Sequence, residues 1–525
     1  MLKGASSGSV PCSPGNIDPI LPPDLTQCSP AFAVSVAGPP VNLTFNCCLP
    51  LPKKKVKNFT FKKGRKRVKK VRRAAHHVDA AYIEKYNKAY ELMKALPADD
   101  PRSFAQQADV HCAFCNGAYK QVGAENVTLQ IHFSWLFLPW HRWYLYFHER
   151  ILASLLGDPE FALVYWNWDN QIDGNMMPAF FAKNNTPVYD EKRNPAVQPP
   201  AIVRLAVLST YNTTAEIIND NLNQMYQSVV TASTPELFTG GAYRVGTDLA
   251  NSTVLNSPLG GSFEDGVHNA IHFWTGSPTF PLLQDMGVFS TASRDPIFYA
   301  HHGNVDRLWE VWKHDMPGGQ RYDHTDPDFL EAEFVFYDEN ANLVKVKAKD
   351  ALDNERLDIT YTKVYADQLW INYSPNATTT TPSPTLDLPT IGLASDTSDS
   401  ITLGKRLSAW VTQPSFKDLK NLKVLTIQGL EITREFFTQI LVFVNLPNAD
   451  INTKTNTAEY VGTFNIVPTF SKKKHLKTNV KFEIGDNIKR IGLQDEAKVI
   501  ITIVVGTYED QEADVTIKGM TIKYD

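Results

Sequence analysis

The sequence predicts a mainly α core, organised as a four-helix bundle, followed by a C-terminal all-β sandwich domain. Three observations predict it. The chain has 525 residues, too many for one hydrophobic core, since cores stop growing near roughly 250 to 300 residues. Apolar residues recur at helical spacing in the stretch before residue 375. Beyond it the pattern switches to short β-branched runs punctuated by Gly, Pro and Asn.

The elements follow in order. Residues 1–75 form a Pro-rich, basic strap with few periodic segments. Residues 76–375 make the functional core. There "HHVDAAYIEKYNKAYELMKAL" turns helical, with Tyr82, Tyr86, Tyr90 and Met93 three or four residues apart, and Pro97 ends it. "FLPWHRWYLYFHERILASLLGD" is a second helix, with Pro139 suited to its first turn and Gly157 to its stop. "RDPIFYAHHGNVDRLWEVWKHD" is a third, with Asp295 as N-cap and Pro296 at the first helical position. Residues 376–405 lack a hydrophobic period and read as a flexible, cleavable linker. Residues 406–525 carry "LKVLTIQGLEI", "FFTQILVFVNLP", "YVGTFNIVP", "NVKFEIG" and "KVIITIVVGTY", the strands of the sandwich.

Hydrophobic content of 43% and charged content of 21% are those of an ordinary globular protein, so disorder is not the overall theme. No apolar run reaches the length of a transmembrane segment, and a targeting segment is not evident in this chain. Cys12, Cys28, Cys47, Cys48, Cys112 and Cys115 all lie in the first quarter, which suggests a local staple. Cys47 and Cys48 are adjacent and can hardly pair with each other without strain. An oxidising compartment follows: plastid thylakoid lumen, vacuole or secretory pathway. Residues 53–73 hold thirteen Lys/Arg and no acid, although the whole chain carries a net charge of −4. Such a block can meet nucleic acid, anionic lipid or acidic polysaccharide. No nucleic-acid fold signature accompanies it, so no nucleic-acid partner is expected, and the run reads as a solvated arm lying on an acidic body.

The chemistry lies in the histidines. His268 and His272 in "HNAIH" stand four apart on one helix face and can converge on one ion. Zinc proteases share this spacing but need Glu after the first His, where Asn269 stands here. His301 and His302 offer a third ligand, and their spacing alone does not choose between them. His111, His132 and His141 make a second set. Two sets of imidazoles without an evident carboxylate ligand argue against a di-iron bundle. Imidazole-only ligation suits copper or zinc. Zinc would need a general base to activate its water and none is obvious, so copper is favoured, and a pair of three-coordinate sites suits redox work with O2.

"HCAFCNGAY", "HFSWLFLPWHRWYLYFHERIL", "FALVYWNWD", "HNAIHFWTG", "DPIFYAHHGNVDRLW" and "FYDENANLV" together resemble the plant polyphenol oxidases, the catechol oxidase and tyrosinase family of coupled binuclear copper enzymes. The resemblance implies two copper ions, one on His111, His132 and His141, the other on His268, His272 and His302, with His301 structural. It implies a thioether between Cys115 and His132, and disulfides Cys47 to Cys112 and Cys28 to Cys48, with Cys12 left over. It makes Phe289 a gate over the second copper. Glu264 matches a residue that orients a water, which Asn269 would help to activate against a monophenol, while Phe273 would narrow the entrance. The activity implied is oxidation of o-diphenols to o-quinones with reduction of O2 to water, plus some monophenol hydroxylation. The partners implied are small phenols, O2 and an activating protease at the linker. Alternatives within the family are a catechol oxidase without monophenolase activity and a flavonoid or chalcone oxidase such as an aurone synthase. An oxygen carrier is the remote alternative. The β domain of this family covers the copper site and keeps the enzyme latent, and the loop "NADINTKTN" is the segment expected to plug it.

Overall fold

The computed structural model describes the chain except residues 1–17, 36–40, 62–67, 250–259, 278–282, 376–385, 396–397, 416–421, 434–435 and 469–474. Cys12, part of the basic run and the first ten residues of the expected linker therefore lie outside the described residues.

The helices are α1 (Ala80–Lys94), α2 (Phe104–Cys115), α3 (Phe137–Leu156), α4 (Thr214–Met225), α5 (Pro235–Thr239), α6 (Asn269–Thr275), α7 (Ile297–His314), α8 (Pro327–Glu331) and, far along the chain, α9 (Gly485–Arg490). Local chemistry sets their ends. Asp79 caps α1 by accepting from the Tyr82 N–H, and Ser103 caps α2 through Gln106. Gly157 stops α3 in the left-handed region at φ 67°, which a residue with a Cβ rarely adopts. A π-helical turn, Phe263–His268, leads into α6. Helix α7 starts one residue later than its sequence suggests: Pro296 takes the cap position, and Asp295 still accepts from the Ile297 N–H at 2.9 Å. Helix α3 lies between α1 and α7, fully buried over most of its length.

Short strands trim this core: β1 (Ala31–Ser35), β2 (Val41–Phe45), β3 (Lys57–Asn58), β4 (Lys70–Ala74), β5 (Lys120–Gln121), β6 (Ala124–Thr128), β7 (Val164–Tyr165), β8 (Glu333–Tyr337), β9 (Leu343–Lys347) and β10 (Ile359–Tyr361). The basic arm is not simply solvated. Its last residues are β4, the centre of a three-stranded parallel sheet with β10 and β7. Lys70 and Arg72 point inward while Val71 and Arg73 point out. Arg72 is fully buried and pairs with Glu149 at 2.9 Å and Asp306 at 3.0 Å. Upstream, Phe59 seats edge-on against Trp143, Tyr146 and Phe147 of α3. What pins the strap is aromatic packing and a buried ion pair, whereas Lys53, Lys54, Lys55 and Lys57 stay exposed.

The C-terminal strands are β11 (Ile401–Thr402), β12 (Arg406–Thr412), β13 (Lys423–Thr433), β14 (Thr438–Val444), β15 (Tyr460–Ile466), β16 (His475–Glu483), β17 (Lys498–Thr507), β18 (Val515–Ile517) and β19 (Gly519–Tyr524). They form two antiparallel sheets, β11-β18-β13-β16 with β19 also on β13, and β12-β17-β14-β15. Ile427, Leu430, Ile440, Phe464, Phe482 and Ile503 fill the space between them. Gly429, at φ 60°, makes the bulge in β13 and gives its N–H to Asn479 at 2.7 Å.

Part of the expected linker belongs to this sandwich. Ile391 donates to Trp410, Met520 donates to Gly392, and β11 pairs with β18. The polar composition concealed backbone pairing, which any sequence can make. The loop at residues 448–456 docks against residues 209–223 instead of the histidines: Ser209 donates to Ile451, and Asp220 accepts from Thr455 and Asn456. Among the described residues, no helix is long and apolar enough to cross a membrane.

Candidate metal centre

Two buried clusters meet at the centre of the helical core. One unites His111 of α2, His132 before α3, His141 of α3 and Cys115; the other unites His268, His272, His301 and His302. In each, one candidate ligand atom per residue lies within 4.8 Å of the others. The two sets face each other: His141 stacks on His302 with centroids 4.4 Å apart, and His132 on His268 at 6.3 Å.

Hydrogen bonds fix the ring orientations. His111 Nδ1 faces the Phe289 carbonyl at 2.9 Å, His141 Nδ1 the Phe137 carbonyl at 2.8 Å, and His272 Nδ1 the Met286 carbonyl at 2.8 Å. A carbonyl only accepts, so each Nδ1 carries the proton and each Nε2 presents a lone pair. His268 obeys the same logic through a side chain. Asn269 gives its Nδ2 to the Asn465 carbonyl at 2.9 Å, which turns its Oδ1 toward His268 Nδ1 at 3.0 Å. The Nε2 atoms of His268 and His272 are then two lone pairs only 3.1 Å apart. That arrangement repels unless a cation sits between them.

The remaining nitrogens point the same way. His111 Nε2, His141 Nε2 and both nitrogens of His132 and His302 are buried without a partner, which is costly for groups that otherwise hydrogen-bond. Burial holds the rings neutral, His141 down to about 3 and His272 to about 4. Neutral imidazoles with free lone pairs, and no carboxylate among them, fit a soft to borderline transition metal such as copper. His301 differs. Trp168 Nε1, a donor only, reaches its Nδ1 at 3.1 Å, so the His301 proton sits on Nε2, and a protonated nitrogen cannot bind a metal.

Scaffolding stands one helical turn away. Asp306, four residues after His302, accepts from Arg142 Nε at 2.5 Å, the residue after His141. Arg72 and Tyr361 close the same carboxylate. Asp169 binds Arg307 through both oxygens, at 2.6 and 2.7 Å, and also accepts from Asn304. The Arg142–Asp306 pair locks α3 and α7 in register, Asp169 ties α7 to the segment after β7, and the histidines inherit that register.

The other site residues are placed as follows. Phe289 stacks on His132, with centroids 4.2 Å apart and planes at 18°, so the ring lies against the first cluster and not over the second. Its chain position, following the turn that also supplies Met286, carries it across the centre. Glu264 is fully buried and accepts from the Phe133 N–H at 2.8 Å, with its other oxygen unpartnered. Burial, and then Asp265, pushes its carboxyl well above the usual range. Asn269, expected to activate a water, has its two ends committed to His268 and Asn465. Phe273 is covered by Phe437, which stacks on it at 3.7 Å and 17°. Cys115 is a buried free thiol. Disulfides join Cys28 to Cys48 and Cys47 to Cys112, the second fastening the strap to α2 one residue from His111.

Sequence reasoning did not single out Phe437, Asn465, Trp168 or Arg72. A signal existed only for Phe437, whose "FF" pair opens a strand run, and nothing marks which residue of such a run faces another domain.

Three family models match the chain: the common central domain of tyrosinase over residues 101–315, the polyphenol oxidase middle domain over 323–376, and the chloroplastic polyphenol oxidase C-terminal domain over 400–524. The chain is 42% identical over 521 residues to the chloroplastic polyphenol oxidase of Vitis vinifera, covering 96% of this chain and 82% of that one. Among solved structures, latent apple tyrosinase matches with a TM-score of 0.79 at 39% identity, over 90% of this chain and 100% of its own. An active aurone synthase, which carries a copper B, matches at 39% identity and a TM-score of 0.58, over 66% of this chain and 100% of its own. With the facing imidazole sets, these matches define a copper oxidoreductase of the tyrosinase type. The chain belongs to the plant polyphenol oxidases, which oxidise phenols with O2.

Proposed function

We propose that this is a latent polyphenol oxidase that oxidises o-diphenols to o-quinones, reducing O2 to water, and hydroxylates some monophenols once unshielded. The observation that carries it is the pair of facing, neutral imidazole sets, with Phe437 of the sandwich stacked on Phe273, the residue after His272. In this reading His111, His132 and His141 hold one copper and His268, His272 and His302 the other. Copper bound there supplies the exchange of electrons between a phenol and O2. Cys115 and His132 are joined by a thioether, which would fix a ring that no hydrogen bond to its nitrogens orients. Phe289, stacked on His132, gives an incoming phenol an aromatic wall.

The chain divides into a strap (1–75), a catalytic unit (76–375), a cleavable linker (376–405) and a shielding sandwich (406–525), with β4 serving the catalytic unit and the linker from Ile391 onward pairing with the sandwich. Shielding rests on Phe437 and Tyr508 against Phe273, on Asn465 bridging Gly266 and Asn269, and on Lys481 paired with Glu236. Relatives named chloroplastic support a plastid location, and the two disulfides suit its oxidising lumen.

Oxygen uptake by the copper-loaded chain, with a monophenol and its matching catechol, before and after proteolysis within 376–385, tests the reading. Uptake with both after cleavage is the expected result. Uptake with the catechol alone would make it a catechol oxidase, and reversible O2 binding without turnover would make it a carrier. Phe437→Ala in the uncleaved chain is expected to raise catechol turnover several-fold, because it removes the stacked ring over Phe273. Unchanged latency would move the shield elsewhere.

Glu264 is the group to take a monophenol's proton, since its second oxygen is free and a bound cation would pull its pKa back down. Glu264→Gln should therefore lower hydroxylation roughly 100-fold, the usual contribution of a general base, while catechol oxidation changes far less. Equal losses on both substrates would assign Glu264 to structure.

A further inference from the structure

Six aromatic side chains with oxidisable rings run from the metal centre to the surface. Trp140 lies 6.3 Å from the His111 ring, and Tyr144 stacks on the same ring at 6.5 Å. Trp140 and Tyr144 are 5.2 Å apart, Tyr144 and Tyr299 5.7 Å, Tyr299 and Tyr90 6.3 Å, and Tyr90 and Tyr86 5.2 Å. Phe161 bridges Tyr86, at 5.8 Å, to Tyr82, at 6.2 Å. Tyr82 is the half-buried end, under the exposed Arg73.

Packing alone does not explain the hydroxyls. Tyr86, Tyr90, Tyr144 and Tyr299 are essentially fully buried, where phenylalanine would fill nearly the same space without a polar group to desolvate. Tyr144 donates to the Gln107 carbonyl at 2.5 Å and bonds to Tyr299 at 3.0 Å, Tyr82 donates to the Ala162 carbonyl at 2.6 Å, and Tyr90 meets His148 Nε2 at 3.3 Å. The His148 ring stacks on Tyr299 at 3.7 Å and 8°. A tyrosine yields an electron readily only when its proton has somewhere to go, and a buried neutral imidazole is such a place. The Tyr86 hydroxyl has no partner, so its ring serves as a bridge between neighbours.

We propose that Trp140, Tyr144, Tyr299, Tyr90, Tyr86 and Tyr82 form an electron relay that drains oxidising equivalents from the metal centre to the surface, where a phenol in solution quenches them at Tyr82. The proposal rests on the copper reading above. It protects the shielded form when hydrogen peroxide, a smaller oxidant than any phenol, reaches the centre. Per passage, one phenol at Tyr82 loses one electron and one proton and becomes a phenoxyl radical. Tyr90 lends its proton to His148 and recovers it. Trp140, Tyr144, Tyr299 and Tyr86, which have no base as a partner, keep their protons and pass the electron as bridging rings. Tyr82, half-exposed, gives its proton to solvent and regains one from the quenching phenol. Two passages deliver two electrons, which with two protons reduce one hydrogen peroxide to two waters.

The test treats the copper-loaded, uncleaved chain with hydrogen peroxide and no phenol, after metal analysis. Frozen samples are read by electron paramagnetic resonance, and oxidised residues are mapped by peptide mass spectrometry. The parent is expected to give a tyrosyl radical and oxidation concentrated at Tyr82. Tyr299→Phe, which keeps the ring, should cut oxidation at Tyr82 several-fold and shift damage to His111, Trp140 and Tyr144. Its melting temperature and the initial catechol rate after cleavage should stay those of the parent. Tyr90→Phe provides a second break at a different point. An oxidation map unchanged in both variants, or the same radical yield in copper-free protein, overturns the relay. Failure to bind copper at all, seen before peroxide is added, overturns the copper reading and takes the relay with it.

Discussion

His302→Ala is expected to leave one copper per chain and no measurable O2 uptake, while His301→Ala keeps both coppers. The two residues are adjacent and both buried, so neither exposure nor spacing separates them. Hydrogen bonding does. His302 has two unpartnered ring nitrogens inside the second cluster, whereas Trp168 commits the His301 Nδ1 as an acceptor and so puts its proton on Nε2. On the proposed ligand set, loss of His302 removes one of three donors to the second copper. Loss of His301 removes a ring that stacks on His268 at 5.1 Å, an outer contact of the kind that costs on the order of 10-fold in affinity or rate. Metal analysis and oxygen uptake on the two variants decide the matter. One copper in His301→Ala and two in His302→Ala would reverse the assignment.

That pair also marks where the sequence stops being informative. Tyr82, Tyr86 and Tyr90 at helical spacing, and Gly157 after a long aromatic run, announce α1 and α3 through periodicity and local caps, which depend only on near neighbours. The i, i+4 pair His268 and His272 is legible for the same reason. The choice at 301 and 302 depends on Trp168, more than a hundred residues away in the chain, and became visible at first only through resemblance. At Phe289 resemblance falls short: it places the ring over the second copper, but the turn after α6 carries the ring onto His132. Asn269 is legible as a polar neighbour of a ligand, yet its role is set by Asn465 of β15, a contact between domains that no local pattern encodes.

Arg72 was hidden by a different mechanism, and the second large effect is expected there. In β4 the usual rule is inverted, with Val71 outside and Arg72 inside, so the charge run looked uniformly solvated. Arg72→Met should destabilise the catalytic unit by about 3 to 5 kcal/mol, the cost of leaving buried charges without their partner. Glu149 would keep only the Leu163 N–H at 2.8 Å, and Asp306 would keep Arg142 and Tyr361. Arg73→Met is the control on the same strand. Its guanidinium sits over the exposed side of Tyr82 at 4.8 Å, a contact worth about 0.5 to 1 kcal/mol. Calorimetric unfolding of the copper-loaded variants should therefore show a large fall in transition temperature for Arg72→Met and a small one for Arg73→Met. Adding Glu149→Leu to Arg72→Met should recover part of the loss, since one orphaned charge goes with it. Equal, small shifts at 72 and 73 would mean that the arm is held by Phe59 and the disulfides and not by the ion pair. A further consequence separates the two cases. Asp306 lies one turn from His302 and bonds the neighbour of His141, so a weakened Asp306 network should lower copper retention in Arg72→Met, and Arg73→Met should leave it untouched.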